Sequence, residues 1–304
     1  MASIIKKMRA NHYHLFYLLL KLFSRVVSDE QYVKWKYFLL RHKRLPLDNP
    51  KTFSEKLQWL KLYDRHDEYS RLVDKYDVKD YVAKLIGAEH VVPTYGVYDS
   101  FDDIDFEPLP EQFVMKCTHN SGSIVICTDK KQLDKDKARR ILERGLKKNP
   151  FWTNREYPYK TVKPRIVVEK LLHQEGEPSL RDYKVLCFGG EAKLIELHLN
   201  RFTDHHTQDF YDRDWHKTDI AQSIFGKVSD KEVAPPECLD EMLRFSELLT
   251  KDMVHCRVDW YVTGGQLYFG ELTFFDSSGL CPFDDERHEL LLGSWIHLPQ
   301  VASK

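Results

Sequence analysis

The residues best placed for chemistry are acidic side chains in an apolar hairpin near the C-terminus. Arg257-Val258-Asp259-Trp260-Tyr261-Val262 alternates as a strand, Gly264-Gly265 marks a turn, and Leu267 to Phe275 returns as its partner. Alternation puts Arg257 and Asp259 on one face of the first strand, and Glu271 and Thr273 on one face of the second. With a three-residue loop Asp259 lies directly opposite Glu271. With a two-residue loop Glu271 falls on the other face. Two facing carboxylates repel each other, and the pair makes sense when a divalent cation sits between them. Mg²⁺ suits it, because Mg²⁺ is held by one or two carboxylates plus substrate phosphates. Arg257 beside them would grip phosphate oxygens in a bidentate fork. The competing reading is a solvent-facing strand pair with ordinary charges, and the apolar flanks on both sides favour the buried, functional one.

Two weaker constellations precede this hairpin. Lys116 ends the apolar run Phe113-Val114-Met115, an expensive place for a charge without a partner. The loop His119-Asn120-Ser121-Gly122-Ser123 follows it, and small polar residues of this kind present backbone N–H groups to phosphates, although they also make ordinary turns. Further on, Ile166-Val167-Val168 runs into Glu169-Lys170-Leu171-Leu172, with Glu177 downstream. Such a strand end offers backbone donors and acceptors to an adenine edge, and Glu177 could accept from ribose hydroxyls. The plain alternative is a strand end with solvated charges. Among familiar signatures, the phosphate loop Gly-x-x-x-x-Gly-Lys-Ser/Thr and the Gly-x-Gly-x-x-Gly fingerprint are absent, as are Gly-x-Ser-x-Gly and His-Glu-x-x-His. His205-His206 beside Asp204 reads as loop histidines, since adjacent residues on a strand point apart.

The elements that must position these groups change in character near Val91. Residues 1 to about 90 read as mostly helical. Thr52-Phe53-Ser54-Glu55 is a capping box, and a helix from about Ser70 to Leu85 stops at Gly87. After Val91 come strands at Phe113–Thr118 and Ile124–Cys127, a helix over about 135–148, and a strand at Ile166–Leu172. A hairpin spans Asp182–Phe188 and Lys193–His198. Residues 201–236 read as loop-rich, and Leu239 to about Val254 as a helix. The pattern predicts an α+β fold with largely antiparallel sheets.

The bulk composition excludes several classes. With 304 residues and a formal net charge of −1, the chain lacks the global basic field that draws proteins to nucleic acid. The six cysteines form no CxxC pair, which argues against zinc ribbons and thioredoxin-like motifs. With no evident cleavable signal, the expectation is a cytoplasmic protein. The one membrane-like stretch, His12 to Phe23, follows Lys6, Lys7 and Arg9, and its uninterrupted apolar part is too short to span a bilayer. Residues 1–25 read either as a basic amphipathic helix on the inner membrane face or, favoured for a short apolar helix, as a helix packed on the domain.

The order of these pieces resembles the ATP-grasp superfamily, and more closely its TupA-like branch, associated with teichuronopeptide biosynthesis. The resemblance is carried by Asn49-Pro50-Lys51-Thr52-Phe53-Ser54-Glu55-Lys56-Leu57-Gln58-Trp59-Leu60, Asp74-Lys75-Tyr76, Phe113 to Gly122, Asp182-Tyr183-Lys184, and the pair Arg257-Val258-Asp259 and Glu271-Leu272-Thr273. Thr273 stands where the superfamily usually has Asn, which puts two-metal binding in question. The resemblance implies an ATP-grasp fold: a helical N-terminal region over 1–90, a small subdomain with the phosphate loop over 91–172, and a subdomain with the Mg²⁺ site over 173–304. It implies that Lys116 contacts ATP phosphates and that the loop of His119, Asn120, Ser121, Gly122 and Ser123 closes over them. Glu169, Lys170 and Leu172 would line the adenine pocket, and Glu177 would meet the ribose. Asp259 and Glu271, with Thr273, would hold Mg²⁺. Lys184 and Arg257 would serve the transferring phosphate.

The implied activity is carboxylate–amine ligation through an acyl phosphate, with ATP and Mg²⁺ and without a protein nucleophile. The implied acceptor is a small-molecule or polysaccharide sugar acid of a bacterial surface polymer, joined to an amino acid or other amine. The polar aromatic stretch around Arg201 and Asp212, with Tyr211 and Trp215, is the candidate acceptor pocket, a plain loop being the alternative. Two other readings stay open: a sugar kinase built on the same ATP site, and a non-catalytic binding protein of the same pathway.

Overall fold

The computed structural model describes residues 13–173, 180–201 and 203–300, so Glu177 and Phe202 lie outside the described residues. The N-terminal region folds as helices α1 (Tyr13–Leu22), α2 (Asp29–Arg41), α3 (Phe53–Tyr63), α4 (Tyr69–Val73) and α5 (Val78–Ile86). The capping box opens α3 as expected: Thr52 accepts from the Glu55 N–H, and Glu55 accepts from the Thr52 N–H at 3.1 Å. The single helix expected from Ser70 to Leu85 is instead two. Buried Asp74 accepts the N–H groups of Tyr76 and Asp77, each at 2.9 Å. An aspartate bonding its own downstream backbone competes with helix continuation. Gly87 ends α5 with φ 107°.

Two antiparallel sheets follow. The smaller has the order β1-β4-β2-β3, with β1 Thr94–Tyr98, β2 Phe113–Cys117, β3 Ile124–Cys127 and β4 Ile166–Lys170. Phe113, Met115, Ile166 and Val168 face α6 (Lys135–Leu146), whose Ala138 and Leu142 complete a small apolar core. Alternation leaves Lys116 and Glu169 on the opposite face. The short helix α7 (Pro150–Asn154) lies between α6 and β4 in the chain.

The larger sheet has the order β7-β6-β5-β8-β9: β5 Asp182–Phe188, β6 Glu191–Leu199, β7 Thr207–Asp212, β8 His255–Thr263 and β9 Gln266–Thr273. Helix α8 (Leu239–Thr250) backs the face carrying Val258 and Trp260, and Ser246 Oγ accepts from the Trp260 indole N–H at 2.8 Å. The other face carries the charges. Strand β7 lies in the stretch expected to be loop-rich. Its residues Gln208 to Tyr211 are buried on both faces, so no polar–apolar alternation announces it. The C-terminal helix α9 (Glu286–Trp295) packs on α3, where Glu289 accepts from the backbone N–H of Ser54 at 3.0 Å and from its hydroxyl at 2.8 Å.

The β8–β9 hairpin resolves the open question of register. Thr263 pairs with Gln266, leaving a two-residue loop. Gly264 and Gly265 have φ 58° and 75°, the positive pair that a tight hairpin turn requires. That loop alone would place Glu271 on the wrong face. A bulge between Asp259 and Trp260 intervenes: Trp260 pairs with Phe269, yet Asp259 pairs with Glu271, and Gly270 is the extra residue. A Cβ at Gly270 would lie 2.9 Å from the Asp259 carbonyl oxygen. The Gly270→Ala variant is therefore expected to lose roughly 1–3 kcal/mol of stability through overpacking, read as a lowered thermal midpoint. An unchanged midpoint would show that the bulge accepts a side chain and that glycine is not what fixes the register.

Candidate functional site

The charged face of the larger sheet carries one continuous cross-strand row. Glu196 on β6 pairs with Lys184 on β5, Lys184 with Asp259 on β8, and Asp259 with Glu271 on β9. All four side chains share a face because directly paired residues point the same way. Asp259 is held by two cations. Arg257 Nε donates to its Oδ1 at 2.6 Å and Nη2 to its Oδ2 at 2.9 Å, while Lys184 Nζ also reaches Oδ2. Lys184 bonds Asp182 Oδ2 at 2.9 Å, and Arg257 Nη1 bonds Asp276, just beyond β9. Glu271 is only partly buried, and Lys75 Nζ lies 3.0 Å from its Oε2. Thr273 accepts from Arg257 at 3.3 Å and donates to Glu271 at 3.3 Å.

These contacts set the ionisation of the site. Burial alone would raise the Glu271 carboxyl, but Lys75, Arg257 and Lys184 outweigh it and hold the group well below the usual carboxylate range. Burial would lower Lys184, and Asp182 and Asp259 reverse that and hold the ammonium above its ordinary value. The arrangement is an anionic pair in a cationic frame, suited to a divalent metal and the phosphates that travel with it.

A second cluster lies on the smaller sheet. Glu169 is pinned between Lys116 at 2.6 Å and Lys79 of α5 at 2.5 Å. Lys79 also donates to the Val92 carbonyl at 2.8 Å. The structure thus turns the Glu169 carboxylate onto two lysines, with Lys170 exposed beyond it and Leu172 half-buried. In the loop after β2, His119 and Asn120 point inward. His119 Nε2 bonds the Lys148 carbonyl at 2.9 Å, and Asn120 donates to the Gly145 carbonyl at 3.1 Å. Ser123 is buried, and its carbonyl accepts from the Cys117 N–H at 3.0 Å, closing the loop. Only Ser121 and Gly122, with φ 80° at Gly122, form the exposed tip. His119, Asn120 and Ser123 anchor the loop, and the tip is what it presents outward.

One segment joins the two clusters. The backbone N–H of Lys75 donates to the Thr118 carbonyl at 3.0 Å, at the base of the loop, while its ammonium reaches Glu271. Of the two acceptor-pocket candidates, Arg201 joins the charged face through Asp182 Oδ2. Asp212 does not: its Oδ1 closes its own turn by accepting the N–H groups of Asp214 and His216 at 3.0 and 2.8 Å. Tyr211 and Trp215 stack on each other, with centroids 4.4 Å apart.

Sequence reasoning missed Lys75, Lys79, Asp182, Glu196, His198 and Asp276 as site residues. Lys79 stands on α5 among other charged residues, and nothing in its local sequence separates it from a solvated helix charge. Glu196 and His198 alternate with Ile195 and Leu197 on β6, and Asp182 shares the parity of Lys184 on β5. That period-2 signal was present.

The Glu169 triad has a pH signature. Burial would raise its carboxyl, but Lys116 and Lys79 prevail and the group sits below its ordinary 4.5. Its stabilisation is therefore complete above the unfolded-state value and lost as pH falls through the lower folded-state value. Glu169→Gln, which leaves two partly buried lysines unpaired, is expected to cost about 3 kcal/mol at pH 7. The gap between wild type and variant should hold down to about pH 5 and shrink below about pH 4, where acid and amide become alike. Urea midpoints at three pH values read this out, and a gap that widens on acidification contradicts the assignment.

Among solved structures, the chain is similar to a D-alanine–D-alanine ligase from Helicobacter pylori, at 15% identity over 81% of this chain and 69% of that one, with TM-score 0.43. It is also similar to an N5-carboxyaminoimidazole ribonucleotide synthetase in its ADP complex, at 15% identity over 82% and 58%, with TM-score 0.42. A D-alanine–D-alanine ligase from Bacillus anthracis complexed with ATP matches at 16% identity over 67% and 55%, with TM-score 0.39. The chain thus spans between 55% and 69% of the length of these three proteins. No curated protein matches it. The model of the TupA-like ATP-grasp family matches residues 55–297, which takes in both sheets and both charge clusters. The chain belongs to the TupA-like ATP-grasp family, and its paired antiparallel sheets with flanking helices are an ATP-grasp fold.

Proposed function

We propose that the chain is an ATP- and Mg²⁺-dependent carboxylate–amine ligase. The observation that carries this reading is the acidic pair Asp259–Glu271, brought face to face by a one-residue bulge and framed by Arg257, Lys184 and Lys75. Asp259 and Glu271, with Thr273 in reach, would hold Mg²⁺, whose bound charge offsets that of the nucleotide phosphates. Lys116 and Lys79 would turn from Glu169 toward those phosphates, under the tip at Ser121-Gly122. Lys170 and Leu172 would lie along the nucleotide base. Arg257 and Lys184 would steady the group in flight by electrostatics and position.

In the ligation a substrate carboxylate attacks the γ-phosphorus and ADP leaves. The neutral amine then attacks the acyl carbon, inorganic phosphate leaves with the bonding pair, and the proton lost from the amine nitrogen ends on that phosphate. No protein nucleophile takes part. The cysteines fit that account, since burial pushes Cys187 up to about 12 and Cys256 well above its usual range. We propose a sugar acid of a bacterial surface polymer as acceptor and an amino acid as donor, as the likeness to the teichuronopeptide branch implies.

Calorimetry with Mg·ATP tests the site. Wild type is expected to bind, and Glu271→Gln and Lys116→Ala to weaken binding at least tenfold, about 1.4 kcal/mol. Wild type that binds no nucleotide would leave a non-catalytic binding protein as the better account. With a turnover substrate in hand, release of inorganic phosphate supports ligation, and a phosphorylated sugar shows a kinase.

We also propose that α1 rests on an anionic membrane surface. It buries only Tyr17 and Leu20 among its described large apolar side chains, while Leu15, Phe16, Leu18, Leu19 and Leu22 stay exposed, Leu22 at 75%. An apolar outer face of this kind supports contact with lipid over packing within the chain. Exposed Lys21 and Arg25 supply charge for acidic headgroups. No helix among the described residues is long and apolar enough to cross a membrane. The chain should sediment with phosphatidylglycerol vesicles, less with phosphatidylcholine vesicles, and not when Leu18 and Leu22 are both changed to Asp. Equal partitioning of wild type and this variant would refute it.

A further inference from the structure

Helix α6 carries a concentration of positive charge that the candidate site does not use. From Lys135 to Lys148 the exposed charged residues are seven basic ones and a single acid, Asp136, in a chain whose formal net charge is −1. Part of that charge is engaged within the fold. Arg139 pairs with Asp102 and lies over the Phe101 ring, and Lys135 lies over the Phe106 ring at 4.4 Å. Lys137, Arg140, Arg144, Lys147 and Lys148 form no ion pair among the described residues. The first four follow one another at intervals of three and four, the spacing of neighbours on one side of a helix. Ala138, Leu142 and Gly145 take the buried side. Like charges at that spacing repel and weaken a helix, so an anionic surface laid along the stripe would stabilise it.

The position of the stripe narrows what that anion is. Helix α6 packs on the side of the smaller sheet that carries Phe113 and Met115, whereas Lys116 and Glu169 lie on the other side. The sheet and the thickness of the helix itself, about 10 Å with its side chains, separate the stripe from that cluster. A nucleotide or sugar acid held on the stripe would be out of reach of the site. Nucleic acid fits poorly too, because no aromatic side chain interleaves the basic residues from Lys135 to Lys148 to give bases a stacking platform.

What lies at the end of the stripe favours a bilayer. Lys148 is followed at once by Asn149, which caps α7, and α7 docks on the corner between α1 and α2. The Arg25 guanidinium lies over the Trp152 ring at 5.4 Å, Tyr32 donates to the Thr153 carbonyl at 2.9 Å, and Arg155 Nη2 donates to the Val27 carbonyl at 3.3 Å. Four residues of chain reach roughly 15 Å at most, so Lys148 lies no farther than that from Trp152, where the exposed apolar face of α1 ends. An acidic bilayer offers both an anionic surface and an apolar interior, and a soluble polyanion offers only the first. We infer that the basic stripe of α6 is a second membrane contact, to anionic lipid headgroups. This rests on the reading of α1 as a lipid contact and adds the surface that orients the chain. A short apolar segment alone holds a membrane weakly and reversibly, and a polybasic patch beside it makes the attachment stable. With α6 on the bilayer, the face bearing Lys116 and Glu169 is turned toward water, from which a nucleotide comes.

The test sediments the full chain with phosphatidylglycerol and with phosphatidylcholine vesicles, as wild type and as two variants of equal charge change. The stripe variant combines Lys137→Gln, Arg140→Gln, Arg144→Gln and Lys148→Gln. The control combines Lys84→Gln, Lys227→Gln, Lys231→Gln and Lys251→Gln, all at exposed positions off α6. The stripe variant should partition onto phosphatidylglycerol at least tenfold less than wild type, since each basic residue near an acidic leaflet adds to the attraction. Its weaker partitioning onto phosphatidylcholine should match that of wild type, and the control should behave as wild type on both. In 1 M salt, where the Debye length falls to about 3 Å, wild type should drop to the level of the stripe variant. Arg140→Gln with Arg144→Gln, expected to lose about threefold, serves if the fourfold variant fails to fold. A stripe variant that partitions like wild type, or a control that loses as much, refutes the stripe and leaves the α1 contact standing. Wild type that sediments with neither vesicle refutes both. Tighter binding of wild type to a polyuronate or to duplex DNA than to phosphatidylglycerol vesicles, at equal concentration of negative charge, overturns the bilayer as the partner.

Discussion

The candidate site depends on parity. Side chains on a strand alternate with period two, so a one-residue shift in pairing moves every subsequent group to the other face. The tight turn at Gly264-Gly265 sets a parity that would turn Glu271 toward α8 and its apolar contacts. The bulge at Gly270 reverses it, and from there to Thr273 the strand presents its polar residues to the charged face. Gly270 is suited to the place because the Asp259 carbonyl approaches too closely for a side chain. Arg257 and Asp259 lie on the unbulged strand, so their alignment with Lys184 is independent of it. What the bulge adds is the second carboxylate.

Once five carboxylates are gathered on or beside one face, charge governs the rest. Asp182, Glu196, Asp259 and Asp276 are buried, and Glu271 partly so. Unpaired, they would protonate or unfold the sheet. The cations come from distinct places in the chain: Lys184 from β5, Arg257 from β8, Lys75 from the break between α4 and α5, and Arg201 from the turn after β6. The break thereby acquires a reason. Were α4 and α5 one helix, Lys75 would sit on its surface, one turn from Arg71 and Lys79. With the helix broken by Asp74, Lys75 reaches Glu271 while its backbone N–H fastens the loop after β2. A feature that looks like a defect in a helix is a tie between the two sheets.

This shows which parts of the molecule were legible in the sequence. The hairpins, the capping box, the strand bearing Lys116 and the acidic residues Asp259 and Glu271 follow from local periodicity and local chemistry. The pairing of those two carboxylates did not, because it depends on a bulge that leaves no mark beyond one glycine among several. Strand β7 was hidden because burial on both faces erases alternation. The partners Lys75 and Lys79 were hidden for a different reason: each is defined by what lies opposite it in space, some 90 to 200 positions away in the chain. Asp212 was ambiguous because its sequence context, acidic among aromatics, is the same whether it binds a ligand or closes a turn.

The distribution of satisfied and unsatisfied groups along the row carries the last step. At the Asp259 end, cations fill the carboxylates: Arg257 and Lys184 occupy both oxygens of Asp259, and Lys75 holds Glu271. These are the ends of long side chains, and on the proposed reading they would turn to phosphate when a metal takes their place. At the Glu196 end one oxygen accepts from an imidazole and an amide, and Arg257 and Lys184 act on the carboxylate through charge. On the proposed reading the first end would exchange one set of cations for another, as binding and release of a metal–nucleotide requires. Lys184, bonded to both Asp182 and Asp259, is the cation that ties the acidic pair to the rest of the row.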